Sequence, residues 1–262
     1  MLNKVRSTTL LRMKAAKEPI AALTCYDYPS GRALDAAGVD VALVGDSLGM
    51  VVLGHTSTLP VTLEDMIHHC RAARRGVNRA MLVADLPFMS YQISPEQALE
   101  SAGRLIKEGG AEAVKLEGGL EMADTVRTLR KAGIAVMGHV GLTPQSVHAL
   151  GGYRRQGTTP KAAKALLASA KALEKAGAFA VVLEVMGDLV AKKLSRTLKI
   201  PTLGIGSGPF CDGQILVTHD ALGLTPDRVP GHAKIYARLY DESVSAAAAY
   251  VRDVKNSRFP KR

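Results

Sequence analysis

The feature that most restricts this chain is a rhythm in which short apolar runs of strand length alternate with longer amphipathic stretches of helical period. Apolar runs stand at 20–24, 39–44, 80–84, 113–116, 134–138, 178–183, 200–204 and 215–218. Helical periodicity fills most of the gaps, at 28–37, 63–76, 95–108, 121–132, 160–176 and 189–197. The run at 41–44 is apolar throughout rather than alternating, as a strand reads when both its faces are covered. Covered strands with helices between them imply repeated parallel βα units. The punctuation agrees. Gly38, Gly133 and Gly177 each end a helical stretch, while Ser94-Pro95 and Thr159-Pro160 open one.

Eight such strands with no linker imply one α/β domain over 1–262, a single (β/α)8 TIM barrel, a fold that takes about 250 residues. An open doubly wound sheet is the rival. The gap after the seventh strand is too short for a full helix, and the last helical region is expected at 233–254. The first 17 residues carry no acid and several Lys and Arg. That composition resembles a transit peptide, but the reading taken is a basic lead-in helix before the first strand.

No apolar run approaches the roughly 20 residues that a membrane helix requires. Three cysteines, Cys25, Cys70 and Cys211, show no metal-ligand spacing and read as reduced thiols of a cytosolic protein. The net charge of +10 raises the question of nucleic acid. Its basic residues are dispersed, as at Lys161, Lys164, Lys171 and Lys175, and aromatics at 4% are too few for a stacking platform. Such a field suits an acidic small molecule better.

Chemistry concentrates where strands end. Asp46-Ser47 follow the second run, Asp85 the third, His139 the fifth and Glu184 the sixth; the fourth carries Lys115 and Glu117. Residues two apart on a strand share a face, so Lys115 and Glu117 point together. In a barrel these groups converge on the mouth at the C-terminal ends of the strands. Three carboxylates there suit an oxygen-preferring cation that keeps waters, Mg²⁺ above all. His68 and His69 are adjacent on a helix and lack the i, i+4 spacing of a zinc pair. Lys115 is open to three readings: a structural ion pair, a charged hold on a substrate oxygen, or a Schiff base. The glycines of Gly204-Ile-Gly-Ser-Gly fit either a phosphate site or close backbone approach.

At these residues the chain resembles the ketopantoate hydroxymethyltransferase family. The blocks that carry the resemblance are Gly45-Asp-Ser-Leu-Gly-Met, Gly54-His-Thr-Ser-Thr-Leu-Pro-Val, Ala84-Asp-Leu-Pro-Phe-Met, Lys115-Leu-Glu-Gly-Gly, Gly138-His-Val-Gly-Leu-Thr-Pro-Gln-Ser-Val and Asp212-Gly-Gln-Ile-Leu-Val. The resemblance implies a (β/α)8 barrel using Mg²⁺, with Asp46, Asp85 and Glu117 as metal positions. It implies Ser47, Asp85 and Lys115, beside Asp46 and His139, as keto-acid contacts, and Glu184 as proton acceptor. It also implies a cytoplasmic homo-oligomer, often a decamer, with 3-methyl-2-oxobutanoate and 5,10-methylenetetrahydrofolate as small-molecule substrates and neither nucleic acid nor membrane as partner. The chemistry implied is removal of the C3 proton of the keto acid and attack on the one-carbon donor to give 2-dehydropantoate. Apolar Val182 and Met186 are expected to wall Glu184 and raise its basicity.

Three places depart from the family pattern. Glu184-Val-Met-Gly187 lacks a usual proline, Ser207 stands where alanine is expected, and Pro230-Gly-His-Ala-Lys-Ile-Tyr lacks an aromatic. Missing proline would loosen the loop after Glu184. Two other functions fit the same polar set. One is a Mg²⁺-dependent C–C lyase or mutase of the phosphoenolpyruvate mutase/isocitrate lyase group, whose catalytic-loop cysteine has no counterpart here. The other is a non-catalytic barrel that binds an acidic ligand.

Overall fold

The computed structural model describes residues 3–226 and 229–260. Eight parallel strands close into a barrel in chain order: β1 (Ile20–Thr24), β2 (Val41–Val44), β3 (Met81–Asp85), β4 (Ala113–Glu117), β5 (Val136–Gly141), β6 (Ala180–Glu184), β7 (Thr202–Ile205) and β8 (Gly213–Leu216). The helices are α1 (Ser7–Ala16), α2 (Tyr28–Ala37), α3 (Leu48–Val51), α4 (Leu63–Gly76), α5 (Pro95–Lys107), α6 (Ala123–Lys131), α7 (Pro160–Ala176), α8 (Asp188–Thr197), α9 (Thr218–Ala221) and α10 (Leu239–Lys255). The chain forms two compact units, one reaching Ile215 and the other starting at Leu216.

Local chemistry explains the element ends. Asp27 accepts the Ser30 N–H at 2.7 Å to start α2, and Thr62 accepts the Asp65 N–H at 3.1 Å to start α4. Gly38 and Gly177 adopt φ of 86° and 107° after α2 and α7, releasing the chain toward the next strand.

The core has two parts. Ala42, Val44, Leu82, Ala84, Val114 and Leu116 face outward and join the apolar sides of the helices. Val41, Leu43, Met81, Val83, Ala113, Met137, Ala180, Val182, Leu203 and Ile215 fill the interior. The lead-in helix α1 adds Leu10 and Met13 to that interior cluster. Strand alternation carries the inward face on toward the mouth: the series Met81-Val83 continues to Asp85, Ala113 to Lys115 and Glu117, Met137 to His139, and Ala180-Val182 to Glu184. Apolar layers floor the barrel and the next layer up is charged.

Several boundaries differ from the sequence reading: β2, β6 and β7 each start two residues later than expected, and β5 covers 136–141 rather than 134–138, so His139 lies within it. β8 covers 213–216 rather than 215–218, and Thr218 opens α9. Gly213 pairs with Leu203, and a Cβ there would lie 2.2 Å from the Ile20 carbonyl; only the glycine closes the sheet, so the strand starts there despite the apolar run beyond. The last helix starts at Leu239, not 233. Tyr236 and Leu239 give their N–H groups to the carbonyls of Ala221 and Leu222, at 2.7 and 3.1 Å, in place of helical acceptors. The connection from β7 to β8 has no helix, as its length implied. α3 and α9 are not legible in the sequence because four-residue helices carry too little periodicity.

Candidate active site

Sheet register sets the site. Asp85 pairs with Lys115, Glu117 with His139, and Gly141 with Glu184 across successive strands. Asp46 lies just beyond β2, whose last residue pairs with Ala84. Asp46, Asp85, Lys115, Glu117 and His139 are each no more than 5% exposed, so their charges must answer one another rather than water.

Lys115 Nζ stands 3.1 Å from Asp85 Oδ1 and 3.3 Å from His139 Nδ1. Asp85 Oδ2 accepts the Asp46 N–H at 3.1 Å. Glu117 Oε2 accepts the Gln145 N–H at 3.0 Å, and its Oε1 lies 3.5 Å from His139 Nδ1. The other imidazole nitrogen lies 3.2 Å from Glu184 Oε2, outside hydrogen-bond geometry. The chain of contacts runs from β3 to β6. Ser47 stays beside it: a Cβ on Gly45 would sit 2.8 Å from Ser47 Oγ and 3.5 Å from Asp85 Oδ2, so that glycine leaves a cradle between them.

Burial, then the neighbouring charges of Asp85 and Glu117, push the Asp46 carboxyl well above the usual range. Burial also raises Asp85, against the opposing pull of Lys115. Burial would raise Glu117, but His139, Lys115 and the Gln145 N–H outweigh it and hold that carboxyl low. Burial would likewise discharge Lys115; Asp85, Glu117 and Asp46 together keep it protonated. His139 is opposed by burial and by Lys115, yet the carboxylates of Glu117 and Glu184 carry it up to about 9. Val182 and Met186 are both buried near Glu184 in the chain, and its carboxylate meets His139 at 3.2 Å.

A divalent cation fits the two aspartates. They repel each other in a buried place, where Asp85 Oδ1 has the Lys115 ammonium at 3.1 Å but no hydrogen bond of good geometry. Among the described residues no three His, Cys, Asp or Glu side chains are grouped so as to hold a metal ion together, Asp46, Asp85 and Glu117 included. Mg²⁺ does not ask for such a group, because it binds through one or two carboxylates and keeps waters for substrate to displace. Both Glu117 oxygens already face partners.

Three further residues join the cluster from outside the strands, beyond those the sequence points to. Gln145 gives its side-chain N–H groups to Asp46 Oδ2 (2.8 Å) and the Leu86 carbonyl (2.9 Å), and its Oε1 accepts from the Tyr91 hydroxyl (2.7 Å) and Gln92 (3.1 Å). Tyr91 also accepts the Glu117 N–H at 3.1 Å. The Tyr26 hydroxyl lies 2.8 Å from Ser47 Oγ. Gln145 sits in the family block that starts at Gly138, and a polar residue so soon after a strand end was the available signal. Outside the cluster, His69 Nδ1 lies 2.6 Å from the Tyr26 carbonyl and His68 is exposed, so neither joins it. In the 204–208 loop, a Cβ on Gly208 would sit 2.9 Å from Asp188 Oδ2. That acid opposes a phosphate, and the glycines serve close approach. Cys25 and Cys70 are buried free thiols, and no described helix is long and apolar enough to cross a membrane.

Comparison with known proteins identifies the family and the fold. The family model for ketopantoate hydroxymethyltransferase matches residues 4–262. A 3-methyl-2-oxobutanoate hydroxymethyltransferase of Thermosynechococcus vestitus is 58% identical over 259 residues, covering 97% of this chain and 99% of the relative. One from a Thermoanaerobacter species is 54% identical, covering 99% of this chain and 95% of its own length. Among solved structures, a putative phosphonomutase from Burkholderia cenocepacia superposes with TM-score 0.65 at 16% identity, covering 94% of this chain and 99% of that one. A 2,3-dimethylmalate lyase of the PEP mutase/isocitrate lyase superfamily superposes at 0.60 and 15%, covering 98% and 89%. At such identities the structural likeness speaks to the barrel alone.

Proposed function

The chain belongs to the ketopantoate hydroxymethyltransferase family, and from that premise we propose that it transfers a hydroxymethyl group from 5,10-methylenetetrahydrofolate to 3-methyl-2-oxobutanoate. The products are 2-dehydropantoate and tetrahydrofolate. The observation that carries this reading is the run of Asp46, Asp85, Lys115, Glu117, His139 and Glu184 along successive strands at one end of the barrel.

Asp46 and Asp85 would hold Mg²⁺, with the charge of Glu117 completing the anionic set. When bound, Mg²⁺ supplies a Lewis acid for the oxo and carboxylate oxygens of the keto acid and stabilises enolate charge. Lys115 is held protonated by its carboxylates. A protonated amine is no Schiff-base nucleophile but is a charged donor for a substrate oxygen. Ser47 offers a hydroxyl beside Asp85 for the same purpose. Glu184 is the carboxylate with access: its side chain is 16% exposed, against 4% for Asp85 and 3% for Glu117. It takes the proton from C3, with the His139 imidazolium 3.2 Å from its carboxylate. C3 then bonds to the one-carbon unit, water supplies the hydroxyl, and tetrahydrofolate leaves.

We place the protein in the cytoplasm as a homo-oligomer. The exposed apolar stripe of Tyr240, Val244, Val251 and Val254 on α10 supports self-association.

The test is incubation with keto acid, methylene-folate and Mg²⁺, with the product identified by mass, alongside exchange of the C3 proton in D₂O. Glu184→Gln is expected to slow exchange roughly 10²- to 10⁴-fold while keto-acid binding persists. Exchange at the wild-type rate in that variant removes Glu184 from the role, and full activity after chelation removes the metal.

A further inference from the structure

The turn that carries Glu184 is strained. Val185 has φ of 44°, in the left-handed region that a β-branched side chain avoids. Such a conformation persists only where surrounding contacts over-determine it. Four anchors do so. The Glu184 carbonyl accepts the Leu142 N–H, Val185 gives its N–H to Ile205, and its carbonyl accepts the Gln156 N–H, each at 2.8 Å. The fourth is a side chain. Ser207, fully buried, donates its hydroxyl to the Leu183 carbonyl at 2.8 Å and accepts the Met186 N–H at 3.2 Å. One hydroxyl thus ties the peptide groups on both sides of Glu184-Val185.

We propose that Ser207 is a positioning residue for Glu184, its hydroxyl holding the strained turn so that the carboxylate stays aimed at His139 and the mouth of the barrel. The inference rests on Glu184 being the base. It also joins two departures from the family pattern. The segment Glu184-Val-Met-Gly187 lacks the proline that the resemblance leads one to expect, and a proline at 187 would stiffen this turn through its ring. Here Gly187 has φ of −65°, the proline value, yet nothing in a glycine enforces it. The hydroxyl of Ser207, where alanine is expected, supplies from a neighbouring loop the constraint that the chain lacks in place.

The same geometry provides a rescue. Met186 is in an extended bridge with Gln156, as a residue before proline prefers. A Cβ at position 187 would meet only Val190 Cγ2, at 3.7 Å, an ordinary contact. Gly187→Pro therefore fits where it stands.

The experiment measures C3 exchange of 3-methyl-2-oxobutanoate with Mg²⁺ in D₂O, in the full-length protein. Ser207→Ala is expected to lower kcat for exchange about three- to tenfold, the worth of a lost hydrogen bond, with KM essentially unchanged. Ser207→Ala with Gly187→Pro should return kcat to within about twofold of wild type, since the ring restores the constraint by another route. A merely structural serine predicts neither the split between kcat and KM nor the rescue. Wild-type exchange in Ser207→Ala, or a loss that Gly187→Pro does not repair, overturns the proposal. Where the alanine variant does not fold, Ser207→Cys keeps the volume with weaker hydrogen bonds: slowed exchange upholds the role and unchanged exchange ends it. Glu184→Gln is run beside them. Retained exchange there defeats the base assignment, whereas its loss beside an unaffected Ser207→Ala defeats only the positioning role.

Discussion

Gln145→Ala removes the side chain that knits the site together without carrying charge. In the folded protein it donates to Asp46 Oδ2 at 2.8 Å and to the Leu86 carbonyl at 2.9 Å, in a place where Gln145 itself is 5% exposed. A hydrogen bond to a carboxyl that burial favours in its neutral form contributes about 0.5–1.5 kcal/mol, and an orphaned buried carbonyl costs about 1–3 kcal/mol. Tyr91 loses an acceptor but has the Glu117 carbonyl at 3.1 Å to turn to, so its share is recoverable. The sum is about 1.5–4.5 kcal/mol of stability. Urea unfolding with a chelator present measures it, with an unchanged slope showing that the midpoint alone has moved. A loss below about 1 kcal/mol would mean that water or repacking satisfies Asp46, and that Gln145 does not hold the cluster. Gln145→Glu sharpens the test. Its carboxyl, buried among Asp46, Asp85 and Glu117, takes a raised pKa in the folded state. Folding then binds an extra proton, so the deficit against wild type is smallest below about pH 4.3 and grows as pH rises. A deficit independent of pH contradicts this.

Two further expectations concern the scaffold. Leu10 is fully buried in the interior cluster, so Leu10→Ala should cost about 2–5 kcal/mol in urea unfolding; a cost of a few tenths would show that α1 does not seal the interior. The Asp35 carboxyl is raised by burial but more strongly lowered by the N–H groups of Ala80, Arg79 and Asn78, so its folded pKa lies below the unfolded one. Its contribution is present above about pH 3.9 and fades as pH falls through the lower folded value. The lead of wild type over Asp35→Asn should therefore shrink below about pH 4, and a constant lead down to about pH 2 refutes the assignment.

The strand-end polar residues were legible because each continues an inward-facing alternation whose lower members are apolar. Asp85 follows Met81 and Val83, and Glu184 follows Ala180 and Val182, so a two-residue period and the closure of the barrel suffice to bring them to one mouth. Tyr91 and Tyr26 reach the same place from loops and Gln145 from a single 3-10 turn at Pro144–Ser146, and no periodicity governs where such segments pass. Ser207 is the plainest case: its hydroxyl meets Leu183 and Met186 only because β6 and β7 lie side by side.

The order of strands, the helices between them and the identity of the acidic and basic groups are written in residue type and spacing, which act locally and repeat. The tuning of those groups is not. Whether His139 gains a proton, Asp46 resists losing one or Lys115 stays charged depends on close approaches between residues distant in the chain, such as the 3.1 Å from Lys115 to Asp85 and the 3.2 Å from His139 to Glu184, in a space without water. Packing alone sets those separations.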